Sequence, residues 1–331
     1  MPNAFKDSLK KLSDLNLANY LSFSQRGIEK ESLRVNDSEI SNSDHPKVLG
    51  SALTNPFITT DFSEALLEFI TRKSSTVEKA LDDLKIILTY THQNIDDVIW
   101  PGSVPCSIRD ESKIRIANYG TSNSGKLKEL YRIGLSYRYG SMMQCVSGIH
   151  YNFSLNKDFF KKWQGSKENF QSYQNEKYLN LIRNFRKNAW LLLYLFGASP
   201  VVPNTFLTDR KNFLKPLNNE DSFLENATCL RMSELGYMSE AQDDLNIAYN
   251  TLDEYISDLR NALTKKYEPY EEIGLKKDNQ HIQINDSIIQ IENEYYSSIR
   301  PKRVVDSGQR PINVLKNKGI EYVEVRCLDN N

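Results

Sequence analysis

The sequence predicts an α+β fold built on a mainly antiparallel sheet. Six segments alternate apolar and polar residues at period two, and five others carry apolar residues at helical spacing. The two kinds follow one another too irregularly for a ladder of βαβ units. No composition shift marks a linker, so residues 1–331 read as a single domain.

The elements follow in chain order. The opening MPNAFKDSLKKLSDLNL has positive charge but no apolar run of signal-peptide length, and its Leu spacing predicts an amphipathic helix. Strands are predicted at 28–35 and 65–71. Ser75-Thr76-Val77-Glu78 has the form of a capping box, and Val77, Leu81, Leu84, Leu88, Thr91, Ile95 and Val98 then recur at helical spacing, predicting a long helix that runs to Trp100. Further helices are predicted at 127–139, around Trp190, and at 245–263, with a strand at 144–155 between the first two. Strands at 281–284 and 288–296 flank Asn285-Asp286-Ser287, which reads as a hairpin turn, and a last strand is predicted at 320–328.

Composition narrows the function classes. Lys and Arg number 42 against 43 Asp and Glu, a net charge of −1, so no global field draws nucleic acid or an acidic membrane surface. Cys106, Cys145, Cys229 and Cys327 are dispersed and form no CxxC pair, as expected of reduced cytoplasmic thiols. The longest apolar stretch, 189–198, is far too short to span a bilayer.

Several strands concentrate polar groups on one face. Glu29 and Glu31, two positions apart, point the same way and repel unless a cation or water lies over them; a metal site and a solvated strand edge both satisfy that. Glu68 interrupts the apolar run 65–70, where a carboxylate needs either a salt-bridge partner or a metal. Gln144, His150 and Asn152 share a face, as do Tyr322, Glu324 and Arg326, and as do Gln290, Glu292, Glu294 and Tyr296. Carboxylates with one imidazole form a hard, oxygen-rich donor set suited to Mg2+ or Mn2+ and point toward ATP chemistry; they exclude a thiolate zinc centre more strongly than they identify a reaction. Residues 120–126, GTSNSGK, have the glycine spacing of a phosphate-binding P-loop, but Leu127 stands where a hydroxyl must meet magnesium and no strong strand precedes them. They remain at most an anion site of helix-terminus type.

RGIEKESLRV (26–35), LGSALTNPFITTDFSEALLEFIT (49–71), YGTSNSGKLKELYRIGLSYRYG (119–140), MQCVSGIHYNFSL (143–155), YLFGASPVV (194–202), LRMSELGY (230–237), IQIENEYYSSIRPKR (289–303) and GIEYVEVRCLD (319–329) together resemble the gammaproteobacterial type of glutamate–cysteine ligase, in the family's order. The resemblance implies a glutamine synthetase-like fold, an antiparallel sheet funnel flanked by helices. It implies metal ligation by Glu29, Glu31, Asp61, Glu68, His150 and Glu324. By the same resemblance Phe62, Tyr131, Leu135, Gln144, Tyr237 and Tyr296 surround cysteine, Arg231 binds glutamate, and Arg326 stabilises charge on the transferring phosphoryl group.

The implied reaction joins the γ-carboxylate of glutamate to the amine of cysteine at the expense of ATP, as the first step of glutathione biosynthesis, in a cytoplasmic monomer without membrane or nucleic-acid partners. A related carboxylate–amine ligase with another acceptor and an inactive fragment or binding protein are the rival readings. Family members continue well beyond the strand that carries Glu324 and Arg326, so the resemblance also implies a partial sequence, with apolar surface left uncovered.

Overall fold

The computed structural model describes residues 2–165, 169–207, 212–236, 239–306 and 308–330. In chain order the strands are β1 (Gln25–Asn36), β2 (Glu39–Ile40), β3 (Ile58–Thr60), β4 (Leu66–Ile70), β5 (Val98–Ile99), β6 (Ile149–Ser154), β7 (Val201–Pro203), β8 (Lys215–Pro216), β9 (Asp221–Phe223), β10 (Lys276–Lys277), β11 (Gln280–His281), β12 (Ile299–Lys302) and β13 (Tyr322–Leu328). The main sheet runs β12-β13-β6-β1-β4-β3, with β2 and β5 paired to the far end of β1. All its pairings are antiparallel, as the sequence predicts, and β1 is its spine rather than an exposed edge.

Alternation assigns the two faces. Leu67 and Phe69 of β4 pack with Ile87 of the Val77–Asn94 helix. Val323, Val325 and Cys327 of β13 pack with Tyr178, Leu179 and Ile182 of the Phe170–Phe196 helix. Each such fully buried side chain contributes about 1.5–3 kcal/mol, so these two helices hold one face of the sheet shut. The intervening residues point the other way, into the functional cavity described below.

Several element boundaries differ from those the sequence predicts. The long helix stops at Asn94, because Ile95 is extended and Val98 and Ile99 pair with Val35 and Arg34 as β5. Its cap is Thr76, whose Oγ1 accepts from the Lys79 amide; that places Lys79 at the third helical position, and Glu78 completes no capping box. A full capping box does form at Thr251 and Glu254, which starts the helix at Leu252 instead of residue 245. The strand expected from residue 144 begins at Ile149, Gln144 lying in a short 3-10 turn, Met143–Cys145.

The largest departure is at 281–296, where no main-sheet strand and no hairpin forms. Side chains take the backbone groups that a ladder would have used: Ile284 N–H donates to Gln290 Oε1 (2.9 Å), Gln290 N–H to Glu294 Oε2 (2.6 Å), and Tyr296 N–H to Gln242 Oε1 (2.9 Å). Conversely, the sequence reading missed β3 and β12, the latter disguised by Pro301. Among the described residues, no helix is long and apolar enough to cross a membrane. The last turns of the Phe170–Phe196 helix expose Trp190, Leu191, Tyr194, Leu195 and Phe196, an apolar patch of the kind that marks a contact surface.

A buried ion pair anchors the far end of the sheet. Arg34 Nη1 donates to Asp97 Oδ2 at 2.6 Å, and Nη2 donates to the carbonyls of Ser43 (2.8 Å) and Glu64 (3.0 Å). Asp97→Ala is expected to destabilise the fold by about 3–5 kcal/mol, because it strands a buried guanidinium. Lys161→Ala, at an exposed pair with Asp158, should leave the melting temperature unchanged, and thermal unfolding of the two variants checks the contrast.

Candidate active site

Strand register gathers the polar face. Glu29 of β1 stands opposite His150 of β6, Glu31 of β1 opposite Glu68 of β4, and Asn152 of β6 opposite Glu324 of β13. These side chains therefore lie side by side across four strands, although up to 295 positions separate Glu29 from Glu324 in sequence (324 − 29). All of them except Asn152 line a cavity of about 360 Å3. Further along the same face of β1 come Leu33 and Val35, which pack with Phe62, Leu135 and Cys145. The floor thus changes from acidic to apolar within one strand.

The acidic end is tightly cross-bonded. His150 Nδ1 lies 3.3 Å from Glu29 Oε2, and Asn152 Nδ2 donates to Glu29 Oε1 at 2.7 Å. Glu31 accepts the Gly148 amide at 2.8 Å. One oxygen each of Glu29 and Glu68 and one ring nitrogen of His150 lie within 4.8 Å of one another. Burial, followed by the charges of Glu29, Asp61 and Glu31, pushes the Glu68 carboxyl well above its ordinary range. Burial also raises Glu31. For Glu29 burial works against the charge, but the His150 hydrogen bond and Lys302 prevail and the net shift is downward. A divalent cation fits this donor set, because it would offset the repulsion that drives Glu68 upward.

Glu324 differs. Arg300 Nε donates to it at 2.5 Å, Arg326 Nη1 at 3.2 Å, and Lys302 Nζ lies 3.4 Å away. Burial opposes its charge, yet Arg300, Lys302 and Arg326 hold its pKa well below the carboxylate range. It is the hinge between the acidic cluster and a cationic one.

The structure brings together Glu29, Glu31, Asp61, Phe62, Glu68, Tyr131, Leu135, Gln144, His150, Tyr296, Glu324 and Arg326 around this cavity. Tyr131 and Leu135 descend from the Asn123–Tyr139 helix, and Gln144 Nε2 donates to the Tyr296 hydroxyl at 3.2 Å. Arg231 sits next door, in a cleft of about 100 Å3 that shares Tyr296 and Arg326, where its Nη2 donates to the Arg326 carbonyl at 3.1 Å. Gly148 leaves room for that guanidinium, which a Cβ there would strike. Tyr237 lies outside the described residues. A second large cavity, about 620 Å3, shares Glu29 and is lined by Arg26, Lys73, Lys157 and Arg303 beside Phe23 and Tyr322. At the P-loop-like segment Ser122 caps the helix by accepting the Gly125 amide, Lys126 pairs with Glu129, and only one isolated bridge, at Ile116, precedes it.

The family model described as Glutamate-cysteine ligase matches residues 9–331. The chain belongs to the glutamate–cysteine ligase family. Curated relatives of that name from Hahella chejuensis and Pseudomonas putida are 49% and 51% identical over 310 residues, which are 92% of this chain and 59% of theirs. The relative from a Janthinobacterium species is 46% identical over 99% of this chain and 63% of its own. The chain thus spans about three-fifths of the length of these relatives. A crystal structure of glutamate–cysteine ligase from Francisella tularensis in complex with AMP superimposes with a TM-score of 0.88 at 44% identity, over 92% of this chain and 61% of that one. A bifunctional glutathione synthetase from Pasteurella multocida does so with a TM-score of 0.72 at 27% identity, over 97% and 36%.

Within this glutamate–cysteine ligase fold the cavity also holds Lys128, Arg132, Asn293, Arg300 and Lys302, which the sequence does not assign to the site, and Glu294, which the sequence places on a polar face with Tyr296 but gives no role. Lys128 and Arg132 were legible: with Tyr131 and Leu135 they occupy i, i+3, i+4 and i+7 of one helix face. Arg300 and Lys302 alternate on β12, a four-residue strand whose pattern Pro301 interrupts.

Proposed function

We propose that this chain carries the centre that ligates L-glutamate, through its γ-carboxylate, to L-cysteine with ATP, the first step of glutathione biosynthesis. The carrying observation is the register that sets Glu29, Glu31, Glu68 and His150 on one sheet face, with the Arg326, Arg300 and Lys302 cations beside Glu324. That face serves as the funnel wall of a glutamine synthetase-like fold, residues 1–331 acting as one catalytic domain of a cytoplasmic monomer.

A carboxylate oxygen is a poor leaving group, so the γ-carboxylate first attacks the γ-phosphate of ATP and releases ADP. The cysteine amine then attacks the γ-glutamyl phosphate, the C–O bond breaks, and phosphate leaves as the amide forms. Glu29, Glu68 and His150, joined by Glu31, Asp61 and Glu324, would hold Mg2+ or Mn2+, which supplies positive charge against the phosphate oxygens. Arg326 stabilises charge on the transferring phosphoryl group. Cysteine lies among Phe62, Tyr131, Leu135, Gln144 and Tyr296, with Tyr237 assigned there by the family resemblance, and Arg231 takes the glutamate in the adjoining cleft. The cavity that shares Glu29 offers four basic side chains for phosphates and aromatic rings for a base, in keeping with the AMP complex of the Francisella enzyme. No enzyme nucleophile is required, and burial raises the Cys106 thiol to about 11.

Incubating the protein with glutamate, cysteine, ATP and MgCl2 is expected to yield γ-glutamylcysteine and ADP in equal amounts, with neither formed when EDTA replaces Mg2+. ADP release that does not depend on glutamate, with no dipeptide, would overturn the reading.

A further inference from the structure

Ile284, Ile291, Asn293, Glu294 and Tyr296 line the cavity with Tyr131 and Leu135; they belong to residues 283–296, which carry no sheet ladder and yet include Gln283, Ile288, Ile289, Gln290 and Glu294, all buried. What fixes this segment is a polar clamp centred on Glu294. Its Oε1 accepts from the Tyr139 hydroxyl at 2.7 Å and from Arg138 Nη1 at 3.1 Å, and its Oε2 accepts the Gln290 amide at 2.6 Å. Gln290 passes the constraint on, accepting the Ile284 amide at 2.9 Å and donating to the Tyr131 carbonyl at 3.3 Å. Gln242 completes it by donating to the Glu294 carbonyl (3.0 Å) and accepting the Tyr296 amide (2.9 Å). Arg138 and Glu294 have fully buried side chains, and Arg138 also holds the carbonyls of Ser287 and Asn285. The helix approaches so closely that a Cβ at Gly134 would strike the Gln290 amide.

Glu294 therefore lines the cavity with both oxygens already engaged by Tyr139, Arg138 and the Gln290 amide, groups of the wall itself. We propose that it is a positioning residue: through Arg138, Tyr139 and Gln290 it locks Ile284 and Tyr296 against Tyr131 and Leu135, and so sets the width of the wall that receives the amino-acid acceptor. This rests on the ligase reading above. A wall held by bonds that no substrate shares selects a small acceptor side chain by fit, and loosening it weakens acceptor binding without removing charge from the phosphoryl-transfer end.

The test is Glu294→Gln, with Gly134→Ala as an independent change that pushes on Gln290 from the helix side. Both are expected to raise KM for cysteine by about tenfold or more, the usual consequence of disturbing a buried hydrogen-bonded partner, with KM for glutamate and ATP moved less than about twofold and kcat less than about threefold. Hydrogen exchange should show the Gln290 and Tyr296 amides losing protection in Glu294→Gln while those of β1 and β6 keep theirs. Unchanged cysteine KM in both variants, or an equal loss for all three substrates, overturns the proposal. If the unmodified protein makes no γ-glutamylcysteine, the ligase reading fails, and amide exchange alone judges the clamp: unchanged protection at Gln290 and Tyr296 refutes it. If Glu294→Gln does not fold, Gly134→Ala decides by the same criteria.

Discussion

Arg326→Ala is expected to lower kcat for γ-glutamylcysteine formation by about 10²–10³, the usual loss on removing one well-placed donor to a developing anion. Stability should move little, for a reason visible in the site. Glu324 keeps Arg300 at 2.5 Å and Lys302 at 3.4 Å after Arg326 is gone, so no buried carboxylate is stranded. The Arg326 main chain stays anchored through its own N–H, which donates to the Ser298 carbonyl, and through its carbonyl, which accepts from Arg231. Steady-state kinetics beside thermal unfolding separates the two roles. Unchanged turnover with a lowered melting temperature would make Arg326 structural.

Glu68→Gln should act in opposite directions on the metal-free and the metal-bound protein. Its carboxylate stands opposite Glu31 and near Glu29, and its charge is opposed by burial and by both neighbours. Removing it relieves that repulsion and raises the melting temperature measured in EDTA. The same change takes an oxygen from the cluster with Glu29 and His150, so stabilisation by added Mn2+ or Mg2+ should weaken by at least the roughly 10–100-fold in affinity that loss of an outer-shell partner costs. A raised pKa in the folded state means that the native chain binds this proton more readily than the unfolded chain does. Stability in EDTA therefore rises as pH falls through the raised pKa toward the ordinary carboxylate value, and Glu68→Gln flattens that rise. Equal metal-induced shifts in melting temperature for the two proteins would remove Glu68 from the proposed metal site.

Alternation along each strand was enough to sort side chains into two faces, because successive side chains of an extended strand point oppositely whatever surrounds them. That is why the sequence alone puts Glu29 with Glu31, His150 with Asn152, and Glu324 with Arg326 on shared faces, as they stand in β1, β6 and β13. The antiparallel α+β class and the family were legible for the same kind of reason, since they depend on local pattern and on residue order. Where local pattern had a competitor, it misled. Residues 281–296 alternate like a strand, but Glu294, Gln290 and Gln242 supply hydrogen bonds that no periodicity encodes. Pro301 hid β12, which carries two cations of the site.

The sequence by itself determined which residues lie on which face of β1, β4, β6 and β13, the absence of a thiolate metal motif, and membership of a family. Only the tertiary structure decided that Glu29 faces His150, that Glu31 faces Glu68, that Glu324 is claimed by three cations, and that Arg231 stands in a neighbouring cleft. The physical reason is register: a slip of one residue between two strands would keep every local preference and turn the whole acidic set away from the cavity, so the choice rests with the packed faces and not with any single strand.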